Sequence, residues 1–311
     1  MKKKNRFQTV PVILLAMAAI CMAGVMTRVK PVQEAGTIAD ATEMQNTETV
    51  TGTASVMEEI PVMEVHFLDV GQGDSTLIIN GEHAMLIDAG DNDHGTAVQY
   101  YLQKHGITGL DYLVLTHNDA DHIGGGDVVI TKFDVETVFM TDYEKSNRTY
   151  RDVMLALDYK NLEWSTPEVG SVYSLGDASF TILAPVERYE DSNNNSIALL
   201  LEKGNTSFLF TGDAEEEAEA DIVAYCAEAG LDISTDVYQA GHHGSSTSST
   251  QEFLDLITPA CAVVSCGRDN PYGYPHKETM ESLEERGIQV FRTDEQGSIV
   301  AVTDGESIIF P

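Results

Sequence analysis

Short apolar runs separated by polar turns follow one another from about residue 61 to the C-terminus. Residues 62–70 alternate apolar and polar side chains, which is the pattern of a β-strand with one buried face. The apolar runs on either side of Asn80-Gly81 are joined by a dipeptide that favours a tight hairpin turn. Residues 197–201 and 207–210 form a second pair of this kind. The pattern therefore predicts two β-hairpins, one in each half of this region.

Helical spacing of apolar positions occurs between the predicted strands. The predicted helices cover residues 96–104, 127–131, 150–159, 215–229, 251–257 and 277–286. In each half, a hairpin is followed by alternating strands and helices. This order predicts an α/β fold of the α+β type, in which two sheets pack face to face with helices on the outside.

The N-terminal residues follow a different pattern. In residues 1–27 a basic start precedes an apolar stretch, which predicts a signal peptide or a membrane anchor. Residues 28–60 lack periodicity and aromatic side chains, which is typical of a flexible acidic linker. Because the basic flank lies N-terminal, we expect the domain at 61–311 to be extracytoplasmic, either secreted or anchored, with the N-terminal segment contacting the membrane.

The charge balance narrows the range of binding partners. The 311 residues include 18 Lys and Arg against 50 Asp and Glu, a formal net charge of −32. Six of the basic residues lie among the first 30, so the predicted domain is strongly acidic. Such a surface opposes a broad binding face for a polyanion, and no stable complex with nucleic acid is expected.

The four cysteines have neither zinc-type spacing nor the pattern of a disulfide framework.

The densest group of ligand-type side chains lies in THNDADHIGG, residues 116–125. It contains His117, Asp119, Asp121 and His122, and it follows an apolar run at 112–115 that predicts a buried strand. Loops at the ends of such strands are where open α/β sheets place their sites. Imidazole and carboxylate groups are ligands for divalent metals. A single aspartate here could cap a helix, but the spacing H-x-D-x-D-H favours metal binding.

Further motifs surround this loop in a definite order: LIDAG at 86–90, FTGD at 210–213 and GHHGS at 241–245. Together they resemble the metallo-β-lactamase-fold hydrolases. HFLDVGQGDS at 66–75, NNNS at 193–196 and CGRDNPYGYPH at 266–276 are similar to the hydrolase domain of the DNA-uptake competence protein ComEC and its stand-alone relatives. The resemblance covers residues 61–311 and implies a four-layer αββα sandwich with its site at one edge.

The resemblance also implies a set of metal ligands: His117, Asp119, Asp121, His122, Asp213, and His242 or His243. The first two would bind one metal, the next two a second metal, and Asp213 would bridge both. The sequence leaves open which of the two adjacent histidines completes the second site. Two divalent ions are expected, with Zn²⁺ favoured and Mn²⁺ or Fe²⁺ as alternatives. Asparagines at 193–195 stand where the family has a further histidine, so the first metal is expected to bind weakly or through a water.

Other residues are candidates for supporting roles. The candidates for substrate binding are Ser245, Asn270, Tyr272 and His276. The structural alternatives are a serine-rich turn for Ser245, loop structure for Asn270 and Tyr272, and the N-terminus of a helix for His276. Asp69 and Asp88 are expected to orient metal ligands. Asp74 lies next to the same turn glycines as Asp69, and either a loop role or an orienting role suits both.

These features together predict an extracytoplasmic metal-dependent hydrolase. A water bound between two metals has its pKa lowered towards about 7, and Asp121 or Asp213 could orient it for attack. The ComEC resemblance favours a phosphodiesterase, a nuclease included, acting on a small or oligomeric phosphodiester. Two alternatives remain open: a hydrolase of a carbonyl substrate such as a lactam or thioester, and a surface interaction module with a vestigial metal site.

Overall fold

The computed structural model describes residues 62–311. The predicted signal peptide or anchor (1–27) and the predicted linker (28–60) lie outside the described residues. Across residues 62–311, none of the helices combines the length and the apolar character needed to cross a bilayer.

Strands and helices alternate along the described residues. In chain order the strands are β1 (Met63–Phe67), β2 (Thr76–Asn80), β3 (His83–Ile87), β4 (Gly109–Leu115), β5 (Asp134–Met140), β6 (Trp164–Ser165), β7 (Val172–Leu175), β8 (Ala178–Ala184), β9 (Ala198–Lys203), β10 (Thr206–Phe210), β11 (Val237–Gln239), β12 (Cys261–Val264), β13 (Gln289–Arg292), β14 (Ile299–Thr303) and β15 (Ile308–Ile309). The helices are α1 (Gly95–Lys104), α2 (Ala120–Ile123), α3 (Gly126–Lys132), α4 (Arg148–Lys160), α5 (Glu216–Ala229), α6 (Gln251–Ile257), α7 (Lys277–Glu285) and α8 (Thr293–Gln296). A short 3₁₀ segment covers Asn193–Asn195. At Gly241–Gly244 the chain makes a tight turn in which His242 and His243 have positive φ angles of 50° and 56°.

The strands form two mixed sheets. The first has the order β15-β14-β1-β2-β3-β4-β5-β6, and the second has the order β13-β12-β11-β10-β9-β8-β7. Neighbours from β3 to β6 and from β10 to β13 are parallel, and the remaining neighbours are antiparallel. The two predicted hairpins are confirmed as β2–β3 and β9–β10. They turn at Gly81 and Gly204, whose φ angles of +65° and +57° favour glycine.

The apolar core lies in three layers. Between the sheets, Phe67 of β1 stacks on Phe210 of β10 with 6.2 Å between ring centroids. Helices α1, α3 and α4 cover the outer face of the first sheet, where Leu102 and Val153 are fully buried. Helices α5, α6 and α7 cover the second sheet in the same way. The prediction of two sheets packed face to face with helices outside is therefore confirmed.

Strand β1 ends at Phe67, three residues before the predicted end, because the chain turns sharply after it. Gly73 has φ of +140°, and a Cβ there would lie 2.3 Å from the carbonyl oxygen of Asp121. This close approach lets the backbone N–H of Asp74 donate to the same oxygen at 3.1 Å. The turn therefore brings Asp74 against the loop that follows β4.

Candidate metal centre

Four loops converge at one edge of the sandwich, and each follows the carboxyl end of a strand. Asp88 follows β3, residues 116–122 follow β4, Asp213 follows β10, and the His242-His243 pair follows β11. Strands β3 and β4 are parallel neighbours in one sheet, and β10 and β11 are parallel neighbours in the other. Their carboxyl ends therefore meet at one edge, where α/β folds place binding sites.

A buried cluster of two carboxylates and two imidazoles lies at this edge. The side chains of Asp74, His122, Asp213 and His243 each bring one oxygen or nitrogen atom to within 4.8 Å of the others. Nε2 of His122 lies 3.1 Å from Oδ1 of Asp213 and 3.3 Å from Nε2 of His243. Oδ1 of Asp74 lies 3.4 Å from Nδ1 of His243. Groups from four separate loops thus face one small volume.

Asp121 borders this cluster and is partly open to solvent. Its Oδ2 lies 3.3 Å from Nε2 of His243, and 30% of its side chain is exposed. Burial raises the pKa of this carboxyl, but hydrogen bonding to His243 and the charge of His122 outweigh burial and hold the pKa below its usual range. Asp121 is therefore a carboxylate that reaches both the cluster and the solvent.

The carboxylate of Asp213 faces ligand-type groups on both sides. Its Oδ1 points towards His122 and His243, whereas its Oδ2 lies 3.7 Å from Nε2 of His117 and 3.5 Å from Nε2 of His242. Nε2 of His117 also lies 3.7 Å from Oδ1 of Asp119. The structure thus separates the two adjacent histidines, with His243 in the buried cluster and His242 on the opposite side of Asp213.

The donor atoms of this site fit a divalent metal. Three buried atoms of these ligand-type side chains meet no hydrogen-bond partner: Nε2 of His117, Oδ1 of Asp74 and Oδ1 of Asp213. The last of these lies 3.1 Å from Nε2 of His122 but without hydrogen-bonding geometry. Buried polar atoms without partners are costly, and a cation among them removes that cost. Imidazole and carboxylate together suit Zn²⁺, Mn²⁺ or Fe²⁺, so the cluster is suited to a dinuclear metal site.

Opposite charges determine the protonation of the buried groups. Burial disfavours the charged form of Asp213, but His122, His243 and His117 outweigh it and hold its pKa well below the usual range. Burial likewise lowers the pKa of His122 and His243. The neighbouring carboxylates together outweigh burial, Asp213 with Asp88 at His122 and Asp213 with Asp74 and Asp121 at His243, so both pKa values lie well above normal. Protons on these two imidazoles therefore compete with a metal for the same nitrogen atoms.

Asp88 fixes the orientation of His122 without entering the cluster. Its Oδ2 accepts hydrogen bonds from Nδ1 of His122 at 2.8 Å and from Oγ1 of Thr116 at 2.7 Å. Its Oδ1 accepts from the backbone N–H of Thr116 at 2.8 Å. This geometry suits a residue that orients a metal-binding histidine, and that role stays a prediction for Asp88.

The structure does not bring Asp69 to the site, so its predicted orienting role is not supported. Asp69 is exposed, and its Oδ1 accepts a hydrogen bond from the backbone N–H of Gly71 at 3.2 Å. The physical reason is that the chain turns at Gly71 and Gly73 only after Asp69. Asp74, on the far side of the turn, enters the cluster instead.

The four candidates for substrate binding make contacts within the protein. The amide of Asn270 organises its own loop, since it donates to the carbonyl oxygens of Gly267 and Tyr274 and accepts from two backbone N–H groups. His276 immediately precedes α7, and its Nδ1 accepts from the backbone N–H of Ser246 at 2.9 Å. For Asn270 and His276 the structural alternatives therefore hold, and neither side chain points into the cluster.

The remaining two candidates differ in exposure. Ser245 is buried, with its hydroxyl 3.0 Å from Oγ1 of Thr247. Tyr272 is 61% exposed and stacks on Tyr274 with 5.4 Å between ring centroids. Of the four candidates, Tyr272 is the most exposed.

Sequence reasoning missed several residues at this edge. The hydroxyl of Tyr274 lies 3.2 Å from Nε2 of His242, whereas the sequence marks only its neighbours Tyr272 and His276 as candidates. Lys145 and Ser192 both bond to Oδ1 of Asp119. Lys145 and Ser192 lie in loops that no metal-binding spacing marks, so the sequence alone held no signal for them.

Residues 68–268 match the sequence family described as the metallo-beta-lactamase superfamily. ComE operon protein 3 of Bacillus subtilis (strain 168) is 30% identical over 256 residues, which cover 76% of this chain and 32% of that protein. Recombination protein 2 of Haemophilus influenzae is 31% identical over 247 residues, which cover 77% and 29%. Competence protein ComA of Neisseria gonorrhoeae is 30% identical over 248 residues, which cover 78% and 33%.

The matched region amounts to about a third of the length of each of these curated relatives. Among solved structures, the metallo-beta-lactamase fold protein YhfI from Bacillus subtilis superposes with a TM-score of 0.52 at 12% identity. The match covers 78% of this chain and 100% of that one, and it shows the shared fold alone. The resemblance inferred from the motifs is confirmed: the chain belongs to the metallo-beta-lactamase superfamily.

Proposed function

We propose that this protein is an extracytoplasmic phosphodiesterase, a nuclease included, that uses a metal-activated water. The observation that carries the proposal is the placement of Asp213, whose two carboxylate oxygens face separate groups of imidazoles. The names of two relatives, Recombination protein 2 and Competence protein ComA, support a substrate with phosphodiester bonds. Because the chain matches only about a third of each, those names support the substrate class and not a particular pathway.

The residues that would hold a divalent ion lie on both sides of Asp213. His122 and His243 face Oδ1 of Asp213, with Asp74 and Asp121 beside them. His117 and Asp119 face the opposite side. When bound here, a divalent ion supplies Lewis acidity and lowers the pKa of water, with Zn²⁺ favoured by this donor set.

The chain's own side chains would orient the attacking water and supply a proton to the leaving oxygen. Asp121, which is charged and partly exposed, can accept a hydrogen bond from a water and so orient it towards substrate. On the other side of the site, Nε2 of His242 lies within 3.2 Å of the Tyr274 hydroxyl, and 15% of the His242 side chain is exposed. That pair can deliver a proton to the leaving oxygen of a phosphodiester.

The charge of the protein favours a short substrate. A net charge of −32 repels a long polyanion, whereas a small or oligomeric phosphodiester meets only the edge of the sandwich. We therefore expect dinucleotides and short single strands to be better substrates than long duplexes.

The test compares three substrates on the full chain, with and without chelator: bis-(p-nitrophenyl) phosphate, single-stranded DNA and a chromogenic lactam. Chelator-sensitive cleavage of the phosphodiesters, with the lactam untouched, is the expected result. Asp213→Asn should reduce cleavage to the chelated background. Asp152→Asn, at an exposed ion pair on α4, is the matched control and should retain full activity. Cleavage of the lactam alone, or chelator-resistant cleavage, would contradict the proposal.

A further inference from the structure

Lys145 lies in the loop between β5 and α4 and reaches into the metal centre from the side. Its ammonium bonds to Oδ1 of Asp119, and 22% of its side chain is exposed. The hydroxyl of Ser192, from the loop after β8, donates to the same oxygen atom. Two donors from two loops thus converge on one carboxylate oxygen.

That oxygen is the atom of Asp119 that faces the centre. Oδ1 of Asp119 lies 3.7 Å from Nε2 of His117, on the side of Asp213 away from His122 and His243. A metal bound between His117 and Asp119 would therefore share its ligand oxygen with an ammonium, and two positive charges so close repel one another.

The two halves of the centre are consequently unequal. Three carboxylates, from Asp74, Asp121 and Asp213, surround the imidazoles of His122 and His243, and none of these three forms an ion pair with a lysine or arginine among the described residues. In the half with His117, the charge of Asp119 is balanced by Lys145. Electrostatics therefore favours a divalent cation beside His122 and His243 over one beside His117 and Asp119.

An ammonium at this position is well suited to a phosphoryl group. Lysine binds phosphate oxygens as a compact point charge with three donors, and here it stands beside Asp119, one of the residues that would hold a metal. Basic side chains are scarce in this chain, with 18 Lys and Arg against 50 acidic residues. Lys145 is also partly exposed, so it can turn from Asp119 to an incoming anion.

We propose that Lys145 supplies one of the two positive charges of the centre, so that a single metal binds tightly beside His122 and His243 while the ammonium binds a non-bridging oxygen of the substrate. The phosphate half of this proposal rests on the proposed function, and the metal half does not.

The metal half is tested by counting zinc on the full chain equilibrated with buffered free Zn²⁺. Wild-type protein should hold one tight equivalent and a second that is weaker. Lys145→Met, which removes the charge but keeps an unbranched stem, should tighten the second equivalent by about tenfold or more, because it removes the repulsion between ammonium and metal. Lys132→Met, on the exposed face of α3, is the control and should match wild type. Two equally tight equivalents in wild type, or no tightening in Lys145→Met, would overturn the assignment.

The phosphate half is tested by calorimetry, with inorganic phosphate titrated into the zinc-bound protein. Lys145→Met should weaken phosphate binding by about tenfold, whereas Lys145→Arg, which keeps the charge, should retain most of it. Equal phosphate affinity in Lys145→Met and wild type would overturn this half. A protein with the expected zinc pattern but no phosphodiester cleavage would support the metal half while contradicting the proposed function.

Discussion

Oδ2 of Asp88 accepts a hydrogen bond from Nδ1 of His122 at 2.8 Å, and this contact turns Nε2 of the same imidazole towards Asp213. Thr116 donates its backbone N–H and its hydroxyl to the two oxygens of Asp88, which fixes the carboxylate in turn. The orientation of His122 in the buried cluster is therefore set by Asp88, which lies outside the cluster.

Asp88→Asn should weaken metal binding by about 10- to 100-fold, the usual effect of removing a group that orients a metal ligand. Asp69→Asn is the matched control, because the exposed Asp69 carboxylate contacts the backbone of Gly71 and not the cluster. Metal affinity measured by competition with a chromogenic chelator checks both variants. An equal loss in the two variants would contradict the geometry described for Asp88.

The glycines that follow the metal-binding loop should differ in their tolerance of a methyl group. A Cβ at Gly125 would lie 2.3 Å from the carbonyl oxygen of Ala89, whereas at Gly126 the nearest atom would be 3.5 Å away. Gly125→Ala should therefore cost about 1–3 kcal/mol of stability through overpacking, and Gly126→Ala should change it little. Denaturant unfolding of both variants is the measurement, and equal stabilities would contradict the packing.

The metal-free protein should lose stability as the pH rises. The pKa values of His122 and His243 lie above the usual 6.5 because Asp213 and the other carboxylates beside them together outweigh their burial. An imidazole whose pKa is raised by folding stabilises the folded state fully at pH values below its pKa in the unfolded chain. This stabilisation is lost as the pH rises through its pKa in the folded protein. Metal requires neutral imidazole, so metal affinity should rise over the same range.

Melting temperatures of chelated and metal-bound protein between about pH 6 and 9 test this linkage. The difference between the two forms should widen as the pH rises. In acid, Asp213 has the opposite effect on stability. Because folding lowers its pKa, the stability that it contributes is lost as the pH falls from 3.8 through the pKa of Asp213 in the folded protein. A difference that is constant from pH 6 to 9 would show that the imidazoles do not exchange protons for metal.

Glu219 should hold the loop that carries His242 and His243. Its fully buried carboxylate accepts hydrogen bonds from the backbone N–H groups of Ser249 at 2.6 Å and Thr250 at 2.8 Å. Glu219→Ala removes the acceptor of both N–H groups, one of which belongs to the buried Ser249, so we expect a loss of about 1–3 kcal/mol.

Denaturant unfolding, paired with a measurement of metal affinity, checks the role of Glu219. Glu216→Ala, at an exposed position on the same helix, is the control. Equal stability of the Glu219→Ala and Glu216→Ala proteins would contradict the anchoring role.

The sequence was most informative where the site is local. His117, Asp119, Asp121 and His122 lie within six residues after a strand, so the spacing alone indicated their proximity. The two hairpins were predicted for the same reason, since each is specified by a turn and two short flanking runs. Asp213 and the histidine pair required the resemblance to a known family, because nothing in local spacing links them to residue 117.

Residues brought to the site by long loops could not be predicted in this way. Asp74 lies in a turn where an aspartate has many local roles, and its part in the cluster depends on the close approach of Gly73 to Asp121. The contact of Lys145 with Asp119 depends on the path of the loop after β5. Asn270 was a candidate for substrate binding because of its motif, but its amide is fully used in shaping its own loop.

The proposed hydrolysis depends on a divalent metal bound beside Asp213. The most direct measurement is an anomalous-difference map from crystals of the full chain soaked in Zn²⁺, recorded at the zinc absorption edge. We predict a strong peak in contact with Oδ1 of Asp213 and with Nε2 of His122 and His243. Zinc that binds the protein stoichiometrically but gives no peak at these three residues would contradict the account.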